Sequence, residues 1–392
     1  MRIDKSHVFA VRTRGNSERL MKNRTMLLVV ALLAVLAVGG YAAHAQAVLT
    51  LPSGNVSIGV GSLGSLGNCV SSCGGDAVAS GTPGLPAGAN GGDLVGLPYG
   101  IYLTSMNADS VTPGCFCEGW GAAYNGAISG YASNSYNVGG SISESSFTTN
   151  APTNGTGTTA TSVVNVGALQ VTQAYAPATN TAGAGGGTNN WLFGDTVTLN
   201  NTSGSAMTDV EYARSTDWDI YPTSFAEVET LGGWPATELA WSTNNGFCSD
   251  DPLTLAVDCG AIDTSAGAAW TDTNFIQNGV ADQGSSFVFD FGSLAAGGST
   301  TFNIFYGAAD DNADATAALG DVGAEVYVLG YSNNGNNGAN LDSGTWDFGF
   351  AGVGGKPLPP SGAVPEPSSL VLLGSSLLSL GGMLRYRRGK KA

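Results

Sequence analysis

Apolar and polar residues alternate over short stretches through most of this chain, the two-residue period of strands whose two faces meet different surroundings. The pattern is sharpest where Phe287, Phe289 and Phe291 occupy every second position, and again at Phe302, Ile304 and Tyr306. Strands are predicted over residues 99–103, 158–166, 168–175, 195–200, 207–213, 286–291, 300–306, 324–329 and 345–350. The turn residues Asn200-Asn201-Thr202-Ser203-Gly204 predict a hairpin between 195–200 and 207–213, and 293–299 links two further alternating strands in a similar way. One helix is expected over 311–319, with Asp311 and Asn312 available near its start.

Composition strengthens the strand reading. Glycine supplies 59 of 392 residues, Ser, Thr and Asn are abundant and charged residues make up 11%, a profile of secreted β-rich proteins rather than helical enzymes. The expected fold class is all-β, a β-sandwich with an immunoglobulin-like second half. Residues 46–98 are rich in Gly, Ser, Ala and Pro with weak periodicity, which predicts loops and short strands. The glycine run at 181–187 reads either as a long loop tip or as a link between subdomains. A soft boundary there separates a Gly/Ser-rich β region at 46–185, holding four cysteines, from a β-sandwich region at 186–355. No internal repeat is visible, which argues against a β-solenoid.

The two ends have a different character. Lys22-Asn23-Arg24 precede an apolar run at 26–38, and Ala43-His44-Ala45 follows it. A basic region, an apolar region and an Ala-x-Ala site form a secretory signal helix, with cleavage expected after Ala45. Residues 1–20 are an extended basic leader, or Met21 is the true start, so 1–45 is assigned as leader and signal peptide. At the other end, Val364-Pro365-Glu366-Pro367 leads into an apolar run from Leu370 to Leu384, and Arg385, Arg387 and Arg388 follow. Prolines hold the motif extended. The apolar run is short of the roughly 20 residues that span a bilayer comfortably. Cations beyond it favour the cytoplasmic side, with the body outside.

This tail resembles the PEP-CTERM sorting signal of exopolysaccharide-producing Gram-negative bacteria. Residues 356–392 would then be a linker and sorting tail, and the C-terminal hydrophobic helix a temporary anchor in the inner membrane. The resemblance implies export through the Sec translocon, cleavage by signal peptidase, and processing near Pro365-Glu366-Pro367 by an exosortase, a membrane-embedded cysteine protease-transpeptidase. The expected destination is the cell surface or extracellular matrix, with extracellular polysaccharide as partner. Segments 113–121, 214–223, 302–306 and 322–328 also resemble stretches of secreted bacterial proteins that often carry such tails.

Setting the ends aside changes the charge picture. Seven of the 14 cations precede residue 25 and five follow Leu384, which leaves Arg214 and Lys356 against 27 of the 30 acids between Gln46 and Val364, a net charge of −25 there. Such a body repels nucleic acid, whose phosphates need Lys and Arg, and no nucleic-acid partner is expected. Both histidines, His7 and His44, lie in the segment to be removed. Ser-His-Asp and Cys-His nucleophile systems and histidine-ligated zinc are therefore excluded from the body. Paired-carboxylate glycoside hydrolysis is the main surviving enzyme chemistry, and the body is read as a non-enzyme.

Candidate chemistry reduces to a few residues. Asp217 and Asp219 flank Trp218, so on a strand both carboxylates share one face, with Arg214 three residues away. The readings are a structural ion pair with Trp218 in the core, a Ca²⁺ site helped by Asp250, Asp251, Asp310, Asp311 and Asp314, or a catalytic pair. No cofactor other than Ca²⁺ is indicated. Trp120, Trp191, Trp234, Trp241 and Trp270 are candidates for stacking on sugars. Threonine and asparagine richness would suit an ice-binding face, but no regular Thr-x-Thr array is visible. The role expected is structural or adhesive within the exopolysaccharide matrix or biofilm, with a carbohydrate-binding or Ca²⁺-dependent adhesin module as the alternative.

Six cysteines, an even number, suit disulfides in an oxidising compartment. Cys248 and Cys259 bracket a short acidic loop and are expected to pair locally. Cys69 and Cys73 are expected to cross-link to Cys115 and Cys117, because the one-residue gap of the latter pair is wrong for a zinc knuckle. Alkylation of the exported, unreduced protein should label no thiol in a mass spectrum, and labelling of all six would refute the pairing.

Overall fold

The computed structural model describes residues 46–67, 100–111, 118–133, 138–152, 156–246, 249–254, 274–336 and 338–361. The signal site at Ala43 and Ala45, all six cysteines, Trp270 and the tail from Val364 through Arg388 lie outside these residues.

The described chain is all-β, with three sheets packed together around one principal core. Strands are numbered along the chain. A five-stranded sheet holds β1 (Gln46–Thr50), β2 (Val56–Gly61), β3 (Ile101–Leu103), β4 (Ala108–Asp109) and β9 (Thr156–Gly157), in the order β4-β3-β2-β1-β9. A six-stranded sheet holds β5 (Gly119–Tyr124), β6 (Ile128–Ser133), β7 (Val138–Gly140), β13 (Glu211–Asp217), β15 (Leu239–Thr243) and β17 (Gly284–Asp290), in the order β15-β17-β13-β5-β6-β7. The largest sheet has nine strands. They are β8 (Ile142–Thr149), β10 (Ala160–Val166), β11 (Leu169–Thr179), β12 (Thr188–Asn201), β14 (Glu227–Gly232), β16 (Phe275–Ala281), β18 (Ser299–Ala309), β19 (Val326–Ser332) and β20 (Thr345–Ala351). Their order is β16-β14-β19-β20-β18-β12-β11-β10-β8.

The inner face of the nine-stranded sheet carries the other two sheets. Phe287 and Phe289 of β17 each lie 4.8 Å from Phe350 of β20, and Tyr212 of β13 meets Phe302 of β18 edge-on at 5.1 Å. The Trp346 indole reaches the five-stranded sheet by donating to the Ile101 carbonyl at 2.9 Å. Leu49, Val56, Ile58 and Ile101 complete the same core, so the weakly periodic start of the body contributes buried strands rather than loops alone.

Two sequence expectations about connections are corrected. Residues 195–200 and 207–213 do not form a hairpin, since β12 is already paired on both edges by β11 and β18. The chain therefore crosses to the six-stranded sheet, where β13 lies between β17 and β5. The link from β17 to β18 crosses back for the same reason. Met207 and Leu294 pin the two crossings together through reciprocal backbone bonds of 2.8 and 3.0 Å. The glycine run at 181–187, by contrast, is the tip of the hairpin joining β11 to β12, so 46–185 and 186–355 share one sheet at this point.

The expected helix is present as α1 (Asn312–Val322). Asp311 caps it by accepting from the Asp314 amide at 2.9 Å, and Gly323 ends it in the left-handed region at φ 76°. Its apolar side, with Ala315, Ala318, Leu319 and Val322, packs on Leu192, Phe305 and Leu329 of the outer face of the nine-stranded sheet. Phe350→Ala, which removes a ring gripped by two others, should cost about 3–5 kcal/mol in chemical denaturation. Ile276→Ala on the exposed edge strand β16 should change stability by less than about 0.5 kcal/mol.

Candidate functional site

The chemistry-bearing side chains of the body gather in the interior, at two neighbouring places. The first centres on Arg214 of β13, which is fully buried. Its guanidinium pairs with Glu118, just ahead of β5. One nitrogen also donates to Gln173 Oε1 at 3.0 Å, to the Gly64 carbonyl at 3.2 Å and to the Tyr212 hydroxyl at 3.3 Å. The Tyr306 ring lies against its other side, 5.0 Å from centroid to guanidinium carbon, a cation–π contact. Tyr175 donates to the Gly64 carbonyl at 2.7 Å and so joins the cluster. The Glu118 carboxylate also accepts from the Leu66 amide at 2.5 Å, holding the loop after β2.

Sequence reasoning placed Arg214 beside Asp217 and Asp219, but the arginine turns to Glu118 instead. Alternation explains it. Tyr212 and Arg214 face the same side of β13, the side on which β11 and β18 supply Gln173 and Tyr306. Burial pushes the Glu118 and Asp195 carboxyls up to about 7, although Arg214 pulls both down.

The second place lies where the chain leaves β13 and enters β14. Trp218 is buried in the core, as one of the sequence readings required, edge-on to Phe348 at 5.1 Å. Gly330 of β19 is needed beneath it, since a side chain there would run into Trp218 and Ile220. Asp217 and Asp219 are both buried, and the Asp219 amide donates to the Ser110 carbonyl at 2.8 Å. Glu227 opens β14, and one of its oxygens accepts from the Ile220 amide at 3.2 Å. Gln283, on the return from β16 to β17, braces the crossing: its carbonyl accepts from the Trp218 amide at 3.0 Å and its side chain donates to the Glu227 carbonyl at 3.2 Å.

Burial raises the Asp217 carboxyl well above its usual range, and the nearby charges of Asp219 and Asp282 raise it further. Glu227 is pushed up to about 10 by burial, with Asp219, Asp217 and Asp282 adding to it. Burial raises Glu229 as well, with the Trp218 indole beside it pulling the other way, and burial alone raises Asp347. These groups therefore hold protons at neutral pH, as carboxylic acids kept out of water do.

The other acids proposed for a cation are engaged elsewhere. Asp311 caps α1, and Asp251 accepts from Ser129 at 2.9 Å and from the Leu253 amide at 3.1 Å. Among the described residues, no group of three or more His, Cys, Asp or Glu is arranged to hold a metal ion. Of the tryptophans considered for sugar stacking, Trp120 is fully buried, stacks on Tyr212 and donates its indole N–H to the Leu63 carbonyl at 2.7 Å. Trp191, Trp234 and Trp241 are half-buried against the core.

Glu118, Glu227, Glu229 and Asp347 were not singled out from the sequence. Glu227-Val228-Glu229 alternates as a solvent-facing edge does, and only the depth of β14 in the sheet reverses that reading. A scan against protein-family models finds no match, and no curated protein matches the chain.

The pH dependence follows from these protons. An unfolded carboxyl titrates near about 4, so a raised folded value gives stability that is full below that pH and is lost as the pH rises. The loss runs through about 7 for Glu118 and Asp195 and on toward about 10 for Glu227. The melting temperature, measured by circular dichroism with chelator present, should be higher at pH 5 than at pH 8. Glu229→Gln should flatten that slope, and a melting temperature that climbs with pH over this range would refute the assignment.

Proposed function

We propose that the chain is an exported surface or extracellular-matrix protein, sorted by its C-terminal tail, processed by an exosortase, and structural or adhesive in exopolysaccharide or biofilm. The observation that carries this reading is the order Pro365-Glu366-Pro367, apolar run, Arg385-Tyr386-Arg387-Arg388, behind a signal-like segment at 22–45. An all-β body with a net charge of −25 and no histidine fits life outside the cell, soluble and unsuited to phosphate partners. The six- and nine-stranded sheets are read as a β-sandwich, with the strands from β13 onward as its immunoglobulin-like half.

A carbohydrate-binding module is the second reading, favoured by the open polar sheet face taken up below. A glycosidase is disfavoured on access. Asp217 and Asp219 are 2% and 0% exposed, and a general acid has to reach the glycosidic oxygen that it protonates. A Ca²⁺-dependent adhesin is tested by repeating binding measurements with chelator.

Expression of the full-length chain in a Gram-negative host with an exosortase tests the sorting step. The wild-type chain should appear at the cell surface with both ends trimmed. The Glu366→Ala/Pro367→Ala double variant should stay in the membrane fraction with its tail intact. Wild-type protein found in the cytosol with both termini uncut would overturn the proposal.

A further inference from the structure

The outer face of the nine-stranded sheet is divided. At one end α1 covers it, and there the outward residues are apolar: Leu192 on β12, Phe305 and Ala309 on β18, Leu329 on β19. Beyond the helix the same face is open, and its outward residues change character. The register aligns Ser146, Val163, Thr172, Thr198 and Thr301 in one row across β8, β10, β11, β12 and β18. Rows two residues to either side run from Thr148 to Asn303 and from Ser143 to Ser299. The three rows contain Ser, Thr, Asn and Gln with one Ala and one Val, and no charged or aromatic residue. None of these positions is buried. The one charge on β8, Glu144, turns inward to accept from Ser62 at 2.7 Å.

These side chains are held rather than free. Thr196 donates to Asn303 at 3.0 Å, the Thr198 and Thr301 hydroxyls share a bond of 3.1 Å, and Asn165 donates to Ser145 at 2.6 Å. Such cross-strand bonds fix rotamers before any partner arrives, which lowers the ordering cost of binding. The sheet spaces the groups about 4.8 Å apart between strands and about 6.8 Å along them. The regular Thr-x-Thr pattern that the sequence hides runs partly along β12, as Thr196-Val197-Thr198, and mostly across strands.

The geometry points to this face as the docking surface for a neutral, hydroxyl-rich polysaccharide. Charge decides the class of partner. With Arg214 buried and Lys356 the other cation between residues 46 and 364, the body has nothing with which to neutralise a polyanion, and its acids repel one. A charge-free face of paired hydroxyls and amides instead offers donors and acceptors in register for sugar hydroxyls, with no ion to desolvate. The assignment rests on the reading of the body as a matrix-interaction protein, and it adds the surface and the glycan class.

The test is co-sedimentation of the full-length protein with amorphous cellulose and with a neutral α-glucan gel, against alginate as the anionic control. Binding to a neutral glycan is expected, with about tenfold weaker affinity for Thr172→Glu/Thr198→Glu. Asn336→Glu, an equal charge on the exposed β19–β20 loop, should bind like wild type. Circular dichroism and melting temperature confirm that each variant folds. Wild-type binding that the lattice variant leaves unchanged would overturn the surface while leaving the matrix role standing. Preference for alginate would overturn the glycan class. Absence of binding to any glycan would overturn both, and thermal hysteresis in freezing water without glycan binding would assign the lattice to ordered water instead.

Discussion

One buried arginine joins all three sheets. Arg214 stands on the six-stranded sheet, pairs with Glu118 beside β5, reaches Gln173 and Tyr306 on the nine-stranded sheet, and donates to Gly64 in the loop that closes β2. Each contact satisfies a group that would otherwise be stranded away from water, a loss worth about 1–3 kcal/mol for a neutral group and more for a charged one. Removing one partner of a buried pair leaves the other charge uncompensated, which is why such a pair fixes geometry even where its net contribution to stability is small. The three sheets are thus tied at a single polar point inside an otherwise apolar core.

Around that tie the interior is unusually acidic, and the acids are of two kinds. Glu118 and Asp195 sit within reach of Arg214, whose charge works against the effect of burial. Asp217, Glu227, Glu229 and Asp347 have no such cation, and burial holds their protons on. A carboxylic acid in this state is both donor and acceptor, and it can brace a crossing such as that at Ile220 and Gln283 without carrying charge. This makes the fold dependent on proton activity, which outside a cell follows the medium and not a buffered cytoplasm.

Much of the architecture was legible in the sequence because alternation reports which strands have two different faces. The strand pair at Phe287 and Phe302, the helix with its Asp311 cap and the burial of Trp218 all follow from local pattern. The connections did not, because a turn-like sequence is the same whether the chain folds back or crosses to another sheet. What decides between them is whether the strand edge is already taken, as β11 and β18 take both edges of β12. The acidic interior was hidden for a related reason. Period two says that Glu227 and Glu229 share a face, but not which face points to water. Asp217 and Asp219 were visible as a pair, and the error lay in giving them Arg214.

The open lattice shows the same limit from the other side. No single strand there carries a sequence motif, since each contributes only two or three outward residues among inward Val, Leu and Tyr. Their regularity exists only after the register of five strands aligns them, so it is a property of the sheet. The division of that sheet is physically ordered: apolar outward residues stop where α1 stops, and uncharged polar ones begin. A solvent-facing sheet kept soluble by charge alone would have Lys and Glu at such positions. This body keeps its acids elsewhere and holds this face neutral, which leaves hydrogen bonding as the dominant force by which a partner can recognise it.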